Sequence, residues 1–159
     1  MLPRVPAADV ARIASKLTIT DFVTGARVPW VPSRAQRQVW EALERSQRVF
    51  VGKPRRAYIS TACDLDDIVQ TVAADTAGHR IRTGVMLDVE AKVTERMWQM
   101  SDFLTQLNVK HRATDFYIEF PGKSEIVGLT AGGKRAAGPG MFYEPTVLGG
   151  VTSEMECFA

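Results

Sequence analysis

Residues 49–62 read Val-Phe-Val-Gly-Lys-Pro-Arg-Arg-Ala-Tyr-Ile-Ser-Thr-Ala. The apolar run at 48–52 ends in glycine and reads as a short buried strand. A basic stretch, 53–57, follows it. A helix is expected from near Ser60, because Ala62, Leu65, Ile68 or Val69, and Val72 recur at spacings of three and four. Gly78 stands where such a helix would end. A strand, a basic loop and a helix opening with Ser-Thr have the chemistry of a phosphate cradle. The helix start offers unpaired N–H groups and the positive end of its dipole. Lys53, Arg55 and Arg56 add fixed positive charge, and a first-turn hydroxyl from Ser60 or Thr61 can reach Mg²⁺. The spacing departs from G-x-x-x-x-G-K-[ST]. Tyr58 takes the place of the second glycine, Ile59 that of the lysine, and Lys53 that of the first glycine. The other reading is a basic connection whose helix is capped by Ser60.

Upstream, residues 9–17 suit a short helix. Val28-Pro-Trp-Val-Pro32 then forces extended backbone and marks a boundary between a lead-in, 1–32, and a domain, 33–159. Ser33-Arg-Ala-Gln36 has the form of a capping box, so a helix is expected over 34–45 with Val39, Trp40 and Leu43 near one face. Gln36 carries two readings. It is the N3 partner of Ser33, or it reads the edge of adenine by donating and accepting at once.

Downstream, residues 81–87 read as a strand, and Asp88 as the cap of a long helix. The stripe of that helix is Val89, Val93, Met97, Met100, Leu104 and Leu107. Two strands, 116–120 and 125–129, flank the turn Pro121-Gly-Lys-Ser124. A glycine-rich loop with Lys134 and Arg135 spans 131–140. The apolar run 146–151 then leads into Thr152-Ser153-Glu154. A carboxylate just past a parallel strand can orient a water for attack on a γ-phosphate. Glu154 stands in that place, although Ser153 stands where an aspartate usually precedes it; the other reading is a solvated surface carboxylate. Strands alternating with helices indicate an α/β fold with a largely parallel sheet flanked by helices, which binds ligands at the carboxyl ends of its strands.

Composition narrows the class. The chain has 159 residues, 45% apolar and 24% charged, which excludes a disordered tail and a collagen-like rod. No apolar run approaches the ~20 residues of a spanning helix, and the first residues lack a secretory core. Two cysteines, Cys63 and Cys157, are too few for a disulfide scaffold and point to a reducing compartment. His79 and His111 stand apart from any zinc-like spacing, and Trp30, Trp40 and Trp98 read as packing residues. Charge is uneven: residues 1–60 carry +7 and 61–159 carry −5, for a net of +2. The basic first third suits an anionic partner, phosphate or nucleic acid.

The order of these motifs resembles the N-terminal ATPase domain of phage terminase large subunits, over roughly residues 20–159. Gln36 comes first, then the 49–62 stretch, then Arg80-Ile-Arg-Thr-Gly-Val-Met-Leu-Asp88. Phe120-Pro-Gly-Lys-Ser124 is similar to the family's Phe-Pro-Asn-Gly-Ser turn, and Ser153-Glu154 to a Walker B end that keeps the glutamate. Some members carry the loop lysine at the start of the loop, as Lys53 does. The resemblance implies a P-loop NTPase-like domain that uses ATP and Mg²⁺. It gives Gln36 to adenine, Lys53, Arg55 and Arg56 to phosphates, Ser60 to Mg²⁺, Thr61 to its support or to phosphate, and Glu154 to water activation. It also implies double-stranded DNA, the terminase small subunit and the portal as partners, a homo-oligomer, no membrane, and the cytoplasm of a bacterial host. Terminase large subunits continue past Walker B into the rest of the sheet and a nuclease domain. The expectation here is therefore a partial ATPase domain, incomplete at its C-terminus, whose open sheet edge invites association. Two other readings stand beside it. One is a non-catalytic DNA- or partner-binding module that keeps the fold, favoured by Tyr58 and Ser153. The other is a helicase-like ATPase, which shares the order of glutamine and loop but normally keeps Gly-Lys-Thr and Asp-Glu.

Overall fold

The computed structural model describes residues 4–21, 23–46, 49 and 58–131. The chain opens with helix α1 (Ala7–Ala14) and a hairpin of β1 (Thr18–Thr20) and β2 (Arg27–Pro29). Helices α2 (Arg34–Arg45) and α3 (Ile59–Thr76) follow, then strand β3 (Arg82–Leu87) and helix α4 (Glu90–Gln106). Three strands close the described part: β4 (Arg112–Ala113), β5 (Tyr117–Glu119) and β6 (Glu125–Thr130). The protein is thus α/β.

The second sheet has the order β3-β6-β5-β4. β3 and β6 pair in parallel, whereas β5–β6 and β4–β5 are antiparallel. The described sheet is therefore mixed rather than largely parallel. The reason is the connection between strands. Helix α4 carries the chain to β4 at the far edge of the sheet, and the short connections from β4 to β5 and from β5 to β6 permit only hairpins, so β6 returns to lie parallel beside β3. The strands expected at 48–52 and 146–151, and the loop over 132–140, lie outside the described residues.

Helices α3 and α4 cover the same face of this sheet. Thr71 on α3 shares a hydroxyl hydrogen bond of 2.8 Å with Thr83 on β3. Thr83 pairs with Ile126, which is fully buried, and two residues on, Gly128 faces Val93 and Met97 of α4. The α4 stripe is buried as its spacing predicts at Val93, Met97, Met100 and Leu104, while Leu107 packs half-buried at the helix end. Its first member, Val89, is 46% exposed, because it is the N-cap residue in extended backbone. Asp88 is not the cap. It lies one residue before the N-cap, and its carboxylate accepts from Lys92 Nζ at 3.0 Å, one turn into the helix.

The aromatic core joins the N-terminal part to the helices. Trp30 lies 6.1 Å from Trp40 and 5.7 Å from Phe103, ring centre to ring centre. Trp98 is the exception among the tryptophans. It is half exposed, with its indole N–H on Asp115 at 2.9 Å.

The end of α3 is tied to the β5–β6 turn. Gly78 takes φ +79°, the left-handed value that lets the helix stop there. Asp75 accepts from Gly122 N at 2.9 Å and Ser124 N at 3.0 Å. Burial raises its pKa, but those N–H donors outweigh burial and hold the carboxyl below its ordinary value. Ser124, fully buried, donates to His79 O at 3.0 Å and accepts from Ile81 N at 3.2 Å. Gly122 must be glycine here, because a Cβ would lie 2.6 Å from Asp75 Oδ1. Gly122→Ala should push that carboxylate off both donors and cost about 1–3 kcal/mol. Thermal melts of Gly122→Ala, Asp75→Ala and the double variant check this. The double variant should lose little more than either single one, and full additivity would contradict the clamp.

Candidate functional site

The site that the sequence points to begins at α3. The helix starts at Ile59, so Ser60 and Thr61 both fall in its first turn, as expected. Ser60 is half-buried and Thr61 only 6% exposed. The N-cap is Tyr58 rather than Ser60, and its side chain makes no capping bond. Tyr58 has φ 51° and ψ 25°, the left-handed conformation that favours glycine. Its carbonyl accepts from Ala62 N at 3.0 Å to open the helix, and its phenol donates to Thr20 O at 3.1 Å. Lys53, Arg55, Arg56, Ser153 and Glu154 lie outside the described residues.

Helix α2 is fixed against this first turn, since Trp40 donates its indole N–H to Ala62 O at 2.8 Å. The capping box at the start of α2 is formed: Ser33 Oγ accepts from Gln36 N at 3.3 Å, and Gln36 Oε1 accepts from Ser33 N at 2.9 Å. The same oxygen accepts from Trp30 Nε1 at 3.2 Å. Gln36 is only 3% exposed. Its carbonyl oxygen thus serves the cap and the core indole together, using both lone pairs.

Several polar residues that periodicity did not flag organise the surroundings. Gln106 on α4 clamps the backbone of Thr18, accepting from its N at 2.8 Å and donating to its O at 3.3 Å. Gln70 on α3 holds Val5 in the same way, at 2.9 and 3.2 Å. Such pairs are recognisable only in three dimensions, because the partners lie 65 or more residues apart. A groove of about 350 Å³ between Val72, Thr76, Val109, Lys110 and Pro121 lies at the other end of α3, away from Ser60. Among the described residues no group of three or more His, Cys, Asp or Glu could hold a metal, and no helix is long and apolar enough to cross a membrane.

Besides Asp75 at its end, α3 carries three aspartates beyond its first turn. Asp64 pairs with Arg96 of α4 at 2.6 Å, and Asp66 pairs with Arg4 and accepts from Gln70 at 3.1 Å. Among the described residues no cation pairs with Asp67. Burial pushes its carboxyl up to about 7, and the charges of Asp64 and Asp66 push the same way against the pull of Arg4. Its folded pKa lies above the ordinary 3.8, so the folded chain holds the extra proton between the two values. Stability contributed by this group is therefore full below pH 4 and is lost as pH rises toward 7. Asp67→Asn removes that loss. The variant should melt about 3–6 °C higher at pH 8, with the gain shrinking to nothing near pH 4, as calorimetry across pH would record. A gain that is the same at both pH values would contradict this assignment.

No protein-family model, curated protein or solved structure matches this chain.

Proposed function

We propose that this chain is the ATP-binding part of a viral DNA-packaging motor of the terminase large-subunit type, with a P-loop-like site at the start of α3. One observation carries the reading. Tyr58 stands where the resemblance has a loop glycine, and its backbone takes the left-handed turn at φ 51° that a glycine would take. An α-helix that the Tyr58 side chain does not cap begins directly after it. Backbone N–H groups at such a start suit a phosphate. The parallel pairing of β3 with β6, on a sheet covered by α3 and α4, also supports the reading.

In this reading Lys53, Arg55 and Arg56 contact the phosphates, and Thr61 supports the Mg²⁺ site or touches phosphate. The hydroxyl of Ser60, in the first helical turn, suits Mg²⁺, which when bound would offset charge on the phosphate oxygens. Glu154 holds the attacking water in line with the bond to be broken. Gln36 reaches adenine only by sharing or releasing the oxygen that now serves Ser33 and Trp30. Hydrolysis would drive movement of double-stranded DNA in the host cytoplasm, with the small subunit and portal as partners.

A second reading, a non-catalytic module that binds DNA or a partner through the basic first third, is favoured by the double engagement of Gln36 Oε1. Calorimetric titration of Mg-ATP separates the two. The proposal expects binding that Lys53→Ala weakens at least tenfold, with folding intact by circular dichroism. Absence of binding to the folded chain, or equal binding by both, would reject it. DNA binding with a steep salt dependence and no response to nucleotide would then support the second reading.

A further inference from the structure

We infer that Tyr58 is a positioning residue that joins the β1–β2 hairpin to the first turn of α3, so that the two move as one unit. The inference deepens the nucleotide reading above and rests on it for its ligand, a phosphate-bearing nucleotide. The starting point is the backbone of Tyr58. A tyrosine at φ 51° is held against its own preference, and such a residue keeps that conformation only where its surroundings over-determine it. The phenol supplies one restraint, through its bond to Thr20 O at 3.1 Å.

Thr20 is itself well fixed. It ends β1, and the next residue, Asp21, closes the hairpin. Asp21 N donates to Ala26 O at 2.8 Å, and Asp21 Oδ1 accepts from Val23 N at 3.0 Å and Thr24 N at 2.8 Å. The base of the hairpin is held to α4 by the Gln106 clamp on Thr18 and by Arg27, which donates to Asp102 at 2.9 Å. A connected path of hydrogen bonds therefore runs from α4 through the hairpin and the Tyr58 phenol to the turn that opens α3. The dihedral angles of Tyr58 set the direction of the first N–H groups of that helix. Anything that fixes those N–H groups, a bound phosphate above all, should also steady the hairpin, and the coupling is reciprocal.

The test compares wild type, Tyr58→Phe and Tyr58→Gly by amide hydrogen exchange, with and without Mg-ATP. Tyr58→Phe removes only the hydroxyl. Tyr58→Gly suits the left-handed turn and keeps α3 folded even if the ring matters for packing. Without ligand, both variants should exchange the amides of Asp21 and Ala62 about fivefold faster together, with melting temperatures near that of wild type. With Mg-ATP, exchange at Asp21 should slow in wild type and in neither variant, and both variants should bind several-fold more weakly. Unchanged exchange at Asp21 in both ligand-free variants would overturn the coupling. So would equal slowing by Mg-ATP in all three proteins. If ligand-free exchange shows the coupling but Mg-ATP has no effect on wild type, the nucleotide reading fails and the mechanical link stands.

Discussion

The burial of α3 is the constraint on which the rest of the structure depends. Ten of its eighteen residues are buried, so neighbours must cover it on more than one side. Helices α1, α2 and α4 and strands β3 and β6 all pack against it. Its two ends are held by different chemistry. At the start, the Trp40 indole fixes the carbonyl of Ala62; at the end, the Asp75 carboxylate gathers the N–H groups of the 121–124 turn. A helix covered on several sides must also bury some of its polar residues. Thr71 answers this with Thr83, Asp64 with Arg96, and Asp66 with Arg4 and Gln70. Truncating one partner of such a pair strands the other, so these contacts specify how the helix docks more than they add stability.

Elements with a strong local signal were legible in the sequence. The buried part of the α4 stripe, Val93 to Leu104, follows from spacing alone, and the capping box at Ser33 from four consecutive residues. The turn at 121–124 was also legible. The β1–β2 hairpin was not, because strands of three residues carry too little alternation to register. Thr18-Ile-Thr20 followed by Asp21 and Gly25 was the available signal, a β-branched run and then turn residues. The expected start of α1 differed by two residues, since Pro6 rather than Asp9 marks the helix entry. Among the described strands only β3 and β6 pair in parallel; β4, with two residues, carries too little alternation to register, and the strands expected at 48–52 and 146–151 lie outside the described residues.

At the candidate site, the placing of Ser60 and Thr61 in one helical turn was legible, since it needs only the helix start. The left-handed backbone of Tyr58 was not. Sequence preference reserves that conformation mainly for glycine and asparagine, and only a tertiary contact such as the phenol on Thr20 holds a tyrosine there. Gln36 shows the opposite limit. Its two readings, cap and adenine reader, were both legible, and the structure forms the cap. It also adds a duty to Trp30 that no local pattern could contain, because that contact depends on how the extended 28–32 segment packs beneath α2.

In the proposed function, the first turn of α3 is where a nucleotide's phosphates meet this protein. The most direct measurement is a two-dimensional amide spectrum recorded while Mg-ATP is titrated. The largest shifts should fall on Ile59, Ser60, Thr61 and Ala62, saturating together. Shifts that gather elsewhere, on the exposed arginines of α2 for example, or no shifts at all in a folded protein, would contradict it.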